Sequence, residues 1–199
     1  MLEVADLACR RAGRLVFTGV GFRLDAGGAL IVGGRNGAGK STLLAALAGL
    51  LRPERGRIDL RGRERREQVH LLGHRDGLKA QLTPAEDLRF ATTLLGGGGL
   101  QPDDALARVG LAGAADLPVG YLSAGQRRRL TLARLLMAPR PLWLLDEPTS
   151  ALDADGQALL ESLMAEHRAG GGAIVAATHA PLPLPGALAL TLGHRGDAP

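Results

Sequence analysis

The sequence predicts an α/β fold with a mainly parallel sheet, an antiparallel β part at the N-terminal end and a helical insert. The first observation is a short apolar run at 29–32, which leads through a glycine-rich loop into a helix-like segment at 43–51. The second is a pair of further apolar runs, at 142–145 and 173–178, which are typical of buried strands. The third is a stretch at about 76–137 in which helix signals replace strand signals.

The other elements of the N-terminal half follow from local patterns. Strands are predicted at 2–7 and 15–24, and a turn at 25–28 leads into the first apolar run. Short strands are expected at 58–60 and 69–72. Between them lies a charged turn, which we expect to be the solvated tip of a hairpin. Its arginines are Arg61, Arg63, Arg65 and Arg66.

The insert and the C-terminal part contain clear helix signals. Thr83 is a natural N-cap, Pro84 fits the first helical position and Glu86 fits the third, so a helix should run to about Leu95. Further helices are predicted at 102–109, 113–116, 127–137 and 155–169, and a last strand at 187–192.

Length and composition favour one domain. The chain has 199 residues, and 46% of them are hydrophobic, which is enough to bury a core. We therefore predict a single domain at 1–199, with its core at 1–75 and 138–199 and its insert at about 76–137. A single cysteine, Cys9, excludes an internal disulfide and fits a reducing compartment.

Composition also excludes several classes of protein. No run approaches the ~18 uninterrupted apolar residues of a membrane span. The acidic N-terminus does not have the basic start of a signal peptide. The net charge is only +4 and aromatic residues make up 3%, so stacking platforms are scarce and we expect no nucleic-acid partner.

The glycine-rich loop has the spacing of a phosphate-binding loop, Gly34-x-x-x-x-Gly39-Lys40-Ser41. Its glycines let backbone N–H groups face an anion, and the next helix presents its positive N-terminus to the same anion. We expect Lys40 to reach the β- and γ-phosphates, Ser41 to bind Mg²⁺ and Thr42 to contact the α-phosphate. A dinucleotide fingerprint fits less well, because Thr42 stands where its last glycine belongs. The predicted nucleotide-binding residues are Gly34, Arg35, Asn36, Gly37, Ala38, Gly39, Lys40, Ser41 and Thr42.

Polar residues follow the two other apolar runs. Asp146 and Glu147 end one run, and His179 follows the other. Because ligands bind beyond the carboxyl ends of parallel strands, we expect all three near the phosphate loop. Asp146 would hold Mg²⁺, Glu147 would orient or deprotonate the attacking water, and His179 would contact the γ-phosphate and that water. An Asp-Glu pair after a strand is often only a helix cap, but the phosphate loop favours the catalytic interpretation.

A second anion site is predicted before the helix at 127–137. Ser123 is a natural N-cap, and its hydroxyl, the small neighbouring residues and the helix dipole favour an anion. Capping alone would explain Ser123 but not the whole string, which is Leu122, Ser123, Ala124, Gly125 and Gln126.

These motifs, in this order and spacing, resemble those of ABC-transporter ATPases along essentially the whole chain. Residues 34–42 resemble the Walker A motif, 122–126 the signature and 142–147 the Walker B motif. Asp153, which ends 150–153, resembles the D-loop aspartate, and His179 resembles the H-loop histidine. The resemblance implies a P-loop NTPase with an ABC ATPase core that hydrolyses ATP with Mg²⁺. It also implies a head-to-tail homodimer in which each signature acts in trans on the ATP of the other subunit.

Within this family the chain is similar to the ATP-binding subunits of cytochrome c maturation (Ccm) systems. The residues that carry the similarity are 73–79, 82–90, the Leu-Ser-Ala-Gly-Gln form of the signature, and 178–182. It implies ATP-driven haem export or haem-chaperone release, with integral-membrane permease partners resembling Ccm subunits B and C. It also implies an indirect link to a haem chaperone and a peripheral location on the cytoplasmic face of the bacterial inner membrane.

Two positions depart from the wider ABC pattern. Arg75 stands at the Q-loop position, where most relatives have a glutamine that approaches Mg²⁺ and the water. A cation at this position would prefer a phosphate to Mg²⁺, and this puts the coupling role of the loop in question. The aromatic residue that usually stacks on adenine is replaced by Arg11 (or Arg10), whose guanidinium plane can still stack on a base. We therefore expect nucleotide binding with loose base selectivity.

Several other functions compete with that of a transporter motor. A different ABC exporter would carry the same motifs. A soluble ABC ATPase acting on DNA or ribosomes usually has coiled-coil inserts or tandem cassettes, which this chain lacks. A regulatory module that binds ATP without hydrolysis is disfavoured by Lys40, Asp146, Glu147 and His179, although Arg75 keeps it open. A small P-loop kinase has no need of the signature string.

Overall fold

The computed structural model describes residues 1–60 and 65–193. In chain order its strands are β1 (Leu2–Arg11), β2 (Arg14–Leu24), β3 (Ala29–Gly33), β4 (Arg55–Asp59), β5 (Val69–Leu72), β6 (Leu142–Asp146), β7 (Ala173–Ala177) and β8 (Leu188–Thr191). An antiparallel sheet has the order β2-β1-β4, and a parallel sheet has the order β5-β6-β7-β3-β8. The predicted fold class is therefore confirmed.

The helices are α1 (Lys40–Leu47), α2 (Arg65–Gln68), α3 (Pro84–Leu95), α4 (Pro102–Arg108), α5 (Ala124–Met137) and α6 (Ala154–Ala169). Two short 3₁₀ turns lie at Ala112–Ala114 and Val119–Tyr121. Within the described parts of the chain, no helix combines the length and the apolar character needed to span a bilayer.

The strands β4 and β5 do not pair with each other as the expected hairpin. β4 pairs with β1 and β5 pairs with β6, so these two strands belong to different sheets. The charge run between the two strands was a poor predictor of a hairpin, because charged residues indicate solvent exposure but do not indicate which strands pair. Part of the predicted turn is a short helix, α2, while Arg61 and Arg63 lie outside the described residues.

The boundaries of two helices also differ from those predicted. α1 begins directly at Lys40 and ends at Leu47, because Ala48 caps it and Gly49 follows with a φ of +77°. α5 begins at Ala124, three residues earlier than expected, because Ser123 is already its N-cap.

The chain divides into two compact units. The first contains residues 1–73, 141–148 and the chain from 164 onward, and the second contains 74–140 and 149–163. The second unit is larger than the predicted insert, since it includes the first part of α6. That the whole chain acts as a single domain remains a prediction.

The first unit has a continuous apolar core. β6 and β7 are buried along their whole length, as expected for central parallel strands with both faces covered. Residues of the antiparallel sheet and of α1 join the same core cluster. This packing fixes the strands from which the functional residues extend.

The second unit is held by helix caps and a buried ion pair. In the capping box of α3, Glu86 N–H donates to Thr83 Oγ1 at 3.2 Å and Thr83 N–H donates to a Glu86 carboxylate oxygen at 2.9 Å. Asp87, which is 1% exposed, accepts two hydrogen bonds from Arg134 of α5, at 2.6 and 2.8 Å. This two-pronged contact joins α3 to α5.

We predict that Asp87→Ala lowers the free energy of unfolding by about 3 kcal/mol, because it leaves the Arg134 guanidinium without its carboxylate. The value lies at the low end of the range for buried pairs because Arg134 is itself 25% exposed. Chemical denaturation of the purified chain measures the change. Glu54→Ala, which breaks the exposed pair with Arg10, is the control and should have little effect. Equal losses of unfolding free energy in the two variants would contradict the view that the buried Arg134–Asp87 pair stabilises the second unit.

Candidate functional site

Three neighbouring strands of the first unit end level with one another. Val32 of β3 pairs with Ala177 of β7, and Ala177 also pairs with Asp146 of β6. The same alignment continues past the strand ends, since Glu147 N–H donates to Ala177 O at 2.8 Å and Thr178 N–H donates to Val32 O at 3.3 Å. The strands are parallel, so the phosphate loop and the polar residues after β6 and β7 lie at one edge of the sheet.

The phosphate loop needs glycine for reasons that its geometry shows. Gly34, Gly37 and Gly39 have φ values of +131°, +81° and +104°, which disfavour side chains. A Cβ on Gly39 would lie 2.5 Å from a Val16 methyl carbon and 3.0 Å from the Phe17 ring, both on β2. A Cβ on Gly34 would lie 2.5 Å from the carbonyl oxygen after β8. The loop is therefore packed closely between neighbouring strands.

Lys40 is buried with its ammonium directed at the loop backbone. Its Nζ donates to the carbonyl oxygen of Gly34 at 2.8 Å, and it lies 3.5 Å from that of Arg35. No side chain caps the N-terminus of α1, and its first turn has no acidic residue. Both features leave a positive end suited to an anion. Ser41 is exposed and Thr42 is buried.

Glu147 and His179 contact each other beside this loop. Nδ1 of His179 lies 2.9 Å from Oε1 of Glu147, and it donates because a carboxylate can only accept. The Glu147 side chain is 16% exposed, whereas that of His179 is 72% exposed. Glu147 has a φ of +45°, a strained conformation for a residue with a side chain. The hydrogen bond from Glu147 N–H to Ala177 O holds this strained backbone at the strand end, and the imidazole orients the carboxylate.

The residues expected to hold Mg²⁺ have the right chemistry for it. Ser41 supplies a hydroxyl oxygen at the start of α1, and Asp146 supplies a buried carboxylate at the end of β6. Mg²⁺ prefers oxygen ligands and usually takes only one or two from protein carboxylates, with phosphates and water supplying the others. Among the described residues there is no cluster of three or more His, Cys, Asp or Glu side chains that could hold a metal alone.

The signature string lies in the second unit, at the start of α5. Ser123 Oγ accepts from Gln126 N–H at 3.1 Å, and the Gln126 side chain accepts from Ser123 N–H at 2.8 Å. Leu122 is buried, while Ser123 and Ala124 are exposed. The small residues and the capped helix end thus form an accessible surface.

Asp153 is tied to the signature helix within the same unit. Arg129 of α5 donates to its carboxylate at 2.7 Å, and Gly156 N–H donates to the same oxygen at 2.8 Å. The Arg129 hydrogen bond, followed by that of Gly156, holds the pKa of the Asp153 carboxyl below its usual value. Gly125 also lies close to this loop, since a Cβ there would be 3.1 Å from the Ala151 carbonyl oxygen.

The loop after β5 is anchored to α5 but leaves Arg75 exposed. Arg134 donates to the carbonyl oxygens of Asp76 and Gly77 at 3.1 and 3.4 Å, and the Arg127 guanidinium lies 3.6 Å from the Asp76 carboxylate. A depression of about 120 Å³ lies here. It is lined by His74, Asp76, Ala124, Arg127, Arg128, Ser150 and Ala151. Sites for small molecules are usually about 300–1,000 Å³, so this depression alone is too small for a nucleotide.

The structure separates the two candidate base-stacking arginines. Arg10 donates two hydrogen bonds to Glu54, at 2.8 and 3.3 Å, and one to the carbonyl oxygen of Gly13. The side chain of Arg11 is exposed at the end of β1 and makes no hydrogen bond with any described residue. Of the two, only Arg10 is already held by a side chain, whereas the Arg11 guanidinium is not held by any described residue.

Sequence reasoning missed the arginines of α5 that organise the second unit. Arg127, Arg129 and Arg134 bind segments that are distant along the chain. The arginine-rich character of α5 was visible, but nothing in the sequence pairs a particular arginine with Asp153 or Asp87.

Comparisons with known proteins agree with the motifs. A family model described as ABC transporter matches residues 17–150. The chain is 56% identical over 188 residues to the cytochrome c biogenesis ATP-binding export protein CcmA of Rhodopseudomonas palustris (strain HaA2), with 91% of this chain and 92% of that protein covered. It is 51% identical over 198 residues to the protein of that name from Paramagnetospirillum magneticum, with 94% and 91% covered. Among solved structures, the ATP-binding subunit of an ABC transporter matches with a TM-score of 0.81 and 28% identity, covering 90% of this chain and 79% of that one.

These matches confirm the predicted resemblance to ABC-transporter ATPases and to those of cytochrome c maturation. The family match includes the phosphate loop, the signature and the Asp146-Glu147 pair, whereas Arg11, Asp153 and His179 lie outside it. The individual roles of these residues remain proposals.

We predict that Gly39→Ala destabilises the chain by about 1–3 kcal/mol more than Gly37→Ala, the cost typical of overpacking. Both positions have positive φ, but a Cβ on Gly37 meets nothing within 4 Å. Comparing the Gly39→Ala and Gly37→Ala variants therefore separates the effect of close packing on stability from the effect of backbone strain. Denaturant unfolding and nucleotide titration check the prediction, and nucleotide affinity should fall further in Gly39→Ala. Indistinguishable variants would show that contact with β2 does not shape the loop.

Proposed function

The chain belongs to the ABC transporter family, and we propose that it is the ATP-hydrolysing subunit of a membrane complex that exports a haem-related substrate for cytochrome c biogenesis. The observation that carries this proposal is the 56% identity with a cytochrome c biogenesis ATP-binding export protein over more than nine-tenths of both chains. An ATP-binding subunit of another exporter would share the motifs but not this level of identity along the whole length.

ATP binding is assigned to the loop and strand ends of the first unit. Lys40 and the N–H groups at the start of α1 neutralise the phosphate oxygens. Ser41 and Asp146 would hold Mg²⁺, which when bound neutralises charge on the β- and γ-phosphates. Arg11 extends from the end of β1, where its guanidinium plane can cover a base.

Hydrolysis is assigned to Glu147 and His179. The Glu147 carboxylate accepts a proton from the attacking water, and its partial burial favours the directional hydrogen bond that this needs. His179 donates through Nδ1 to Glu147, and its other ring nitrogen can donate to the γ-phosphate when the imidazole carries both protons. The imidazole is therefore both a positioning group for the base and a phosphate ligand.

The active form is proposed to be a head-to-tail homodimer. In one copy, Ser123 and the small residues of the signature form an accessible anion site, but the depression next to them is too small for a nucleotide. A second copy, whose Lys40 binds the triphosphate, would complete that site. The Arg129–Asp153 pair keeps the signature and the D-loop in one arrangement for this contact.

The membrane partners are proposed to contact the second unit. Phe90 and Leu94 lie four positions apart on α3 and are 46% and 67% exposed, and the Lys79 ammonium lies 5.3 Å from the centre of the Phe90 ring. An exposed apolar pair flanked by a cation suits an amphipathic segment of an integral-membrane subunit. The complex would include permease subunits resembling Ccm subunits B and C, at the cytoplasmic face of the bacterial inner membrane. Its link to a haem chaperone would be indirect.

We predict that Glu147→Gln lowers ATP turnover by about 10²–10⁴-fold, the range for loss of a general base, while ATP still binds. The glutamine keeps the size of the side chain but cannot take the proton. Steady-state hydrolysis and equilibrium nucleotide binding measure the two effects. In cells that depend on this chain, mature c-type cytochromes should be lost at normal chain abundance.

Glu161→Gln is the matched control, because Glu161 is exposed on α6 and takes no part in the site. It should retain hydrolysis and cytochrome maturation. Near-normal turnover in Glu147→Gln would contradict the catalytic assignment. Full cytochrome maturation with turnover abolished would contradict the proposed biological role.

The loop at 74–79 is proposed to couple hydrolysis to the membrane partners. Its backbone is tied to α5 through Arg134, while Arg75 itself is exposed. We predict that Arg75→Gln continues to hydrolyse ATP but matures less cytochrome c, because the guanidinium serves the contact and not the chemistry. Hydrolysis and haem-stained cytochromes are measured in the same variant, with abundance checked.

Arg52→Gln, an exposed substitution in the first unit, is the control and should change neither activity. Retention of both activities in Arg75→Gln would mean that the arginine merely replaces the usual glutamine. Loss of both activities at normal abundance would show that the loop does not separate coupling from hydrolysis.

A further inference from the structure

Tyr121 is the most exposed of the five aromatic residues, all of which lie in the described part of the chain. Its side chain is 82% exposed. Phe17 and Trp143 are buried, and Phe22 packs against the core. Phe90 is partly exposed beneath a lysine ammonium. The first unit, which carries the phosphate loop, therefore has no exposed aromatic ring of its own.

The backbone that carries Tyr121 is held firmly. Val119 N–H donates to the carbonyl oxygen of Leu82 at 2.8 Å, and Gly120 N–H donates to that of Ala80 at 3.0 Å. Val119 and Leu122, on either side of the tyrosine, are 1% and 3% exposed. An exposed ring on an anchored turn is preorganised for binding, because the backbone loses little conformational entropy when the ring contacts a ligand.

Tyr121 also lies close to the signature serine in the chain, and both residues are exposed. Leu122 and Ser123 have extended backbone conformations, with φ and ψ of −70° and 142° and of −62° and 163°. Residues two apart along such a segment have Cα atoms about 6 Å apart, so the side chains of Tyr121 and Ser123 begin close together. Tyr121 and Ser123 are both exposed, whereas Leu122 between them is buried.

We propose that Tyr121 stacks on the adenine base of the nucleotide whose phosphates are bound by Lys40 of the partner subunit. The proposal rests on the head-to-tail dimer proposed above. Ser123 would then contact the phosphate end of that nucleotide, and the long side chain of the nearby Tyr121 would extend toward the base. The partner's nucleotide thus gains the aromatic platform that its own first unit lacks.

This arrangement has a consequence for substrate choice. Every base has a π-face, so stacking on an aromatic ring tolerates changes of base and adds affinity without reading hydrogen-bonding edges. With Arg11 on one side and Tyr121 on the other, the base is held between two planar groups. We therefore expect nucleoside triphosphates with other bases to bind as well, with GTP bound nearly as well as ATP.

The first test compares Tyr121→Ala with Tyr121→Phe in the full-length dimer. Tyr121→Ala should raise the KM for ATP about 5–150-fold, the range for loss of one base stack. Tyr121→Phe should retain the original value. Inhibition by inorganic triphosphate, which has no base, should be the same in all three proteins. An unchanged KM for ATP in Tyr121→Ala, or equal weakening of inorganic triphosphate, would overturn the proposal.

The second test shows which subunit supplies the tyrosine. A tagged Lys40→Ala chain is mixed with an untagged Ser123→Arg chain, so that one composite site carries both lesions and the other is intact. Photoactivated 8-azido-ATP should label the peptide containing Tyr121 in the tagged chain. Adding Tyr121→Ala to the tagged chain should abolish that labelling, whereas adding it to the untagged chain should not.

The outcomes distinguish this inference from the function on which it rests. If ATP induces no dimer, the proposed head-to-tail function is wrong and this inference fails with it. If a dimer forms but the tagged peptide is not labelled, only the role of Tyr121 is overturned. Loss of the membrane complex in Tyr121→Ala with an unchanged KM for ATP would instead place the tyrosine at a protein contact, and would overturn the proposal too.

Discussion

The level ends of β3, β7 and β6 constrain everything around the phosphate loop. β7 pairs with both neighbours, so Val32, Ala177 and Asp146 form one row across the sheet. A slip of one strand would draw Asp146 into an apolar interior or push apolar residues into water, and burial of an unpaired carboxylate is costly. The apolar runs therefore do more than form a core, because they fix the distance between the loop, the acidic pair and His179.

The second unit depends on a different force. There, arginine side chains of α5 bind carboxylates that are distant in sequence. The two main pairs have different effects on the unit. The Arg134–Asp87 pair has a fully buried carboxylate and sets the stability of the helical packing. The Arg129–Asp153 pair is more exposed at its carboxylate, so its effect is to fix the position of the D-loop against the signature.

The sequence predicted the features that depend on local signals. The cap of α3 was predicted because Thr83 and Glu86 are only three residues apart, and Ser123 was predicted as an N-cap, although its capping-box partner Gln126 was not. The loop glycines were predicted from the spacing of the phosphate loop, and their positive φ values agree with it. The pairing of β4 with β1 was not visible, since a charged turn does not identify the partner of a strand. The choice between Arg10 and Arg11 also needed the structure, because it depends on Glu54, 44 residues further along the chain.

The division of the site between two units links nucleotide binding to assembly. The phosphate loop and the proposed catalytic pair lie in one unit, and the signature and Tyr121 lie in the other. In the proposed dimer, each nucleotide is completed by a second copy, so ATP stabilises the dimer by the same factor by which dimerisation raises the affinity for ATP. Hydrolysis then removes a ligand that both copies share, and the dimer loses that stabilisation. A base held by stacking fits this mechanism, because what drives assembly is the triphosphate and not the identity of the base.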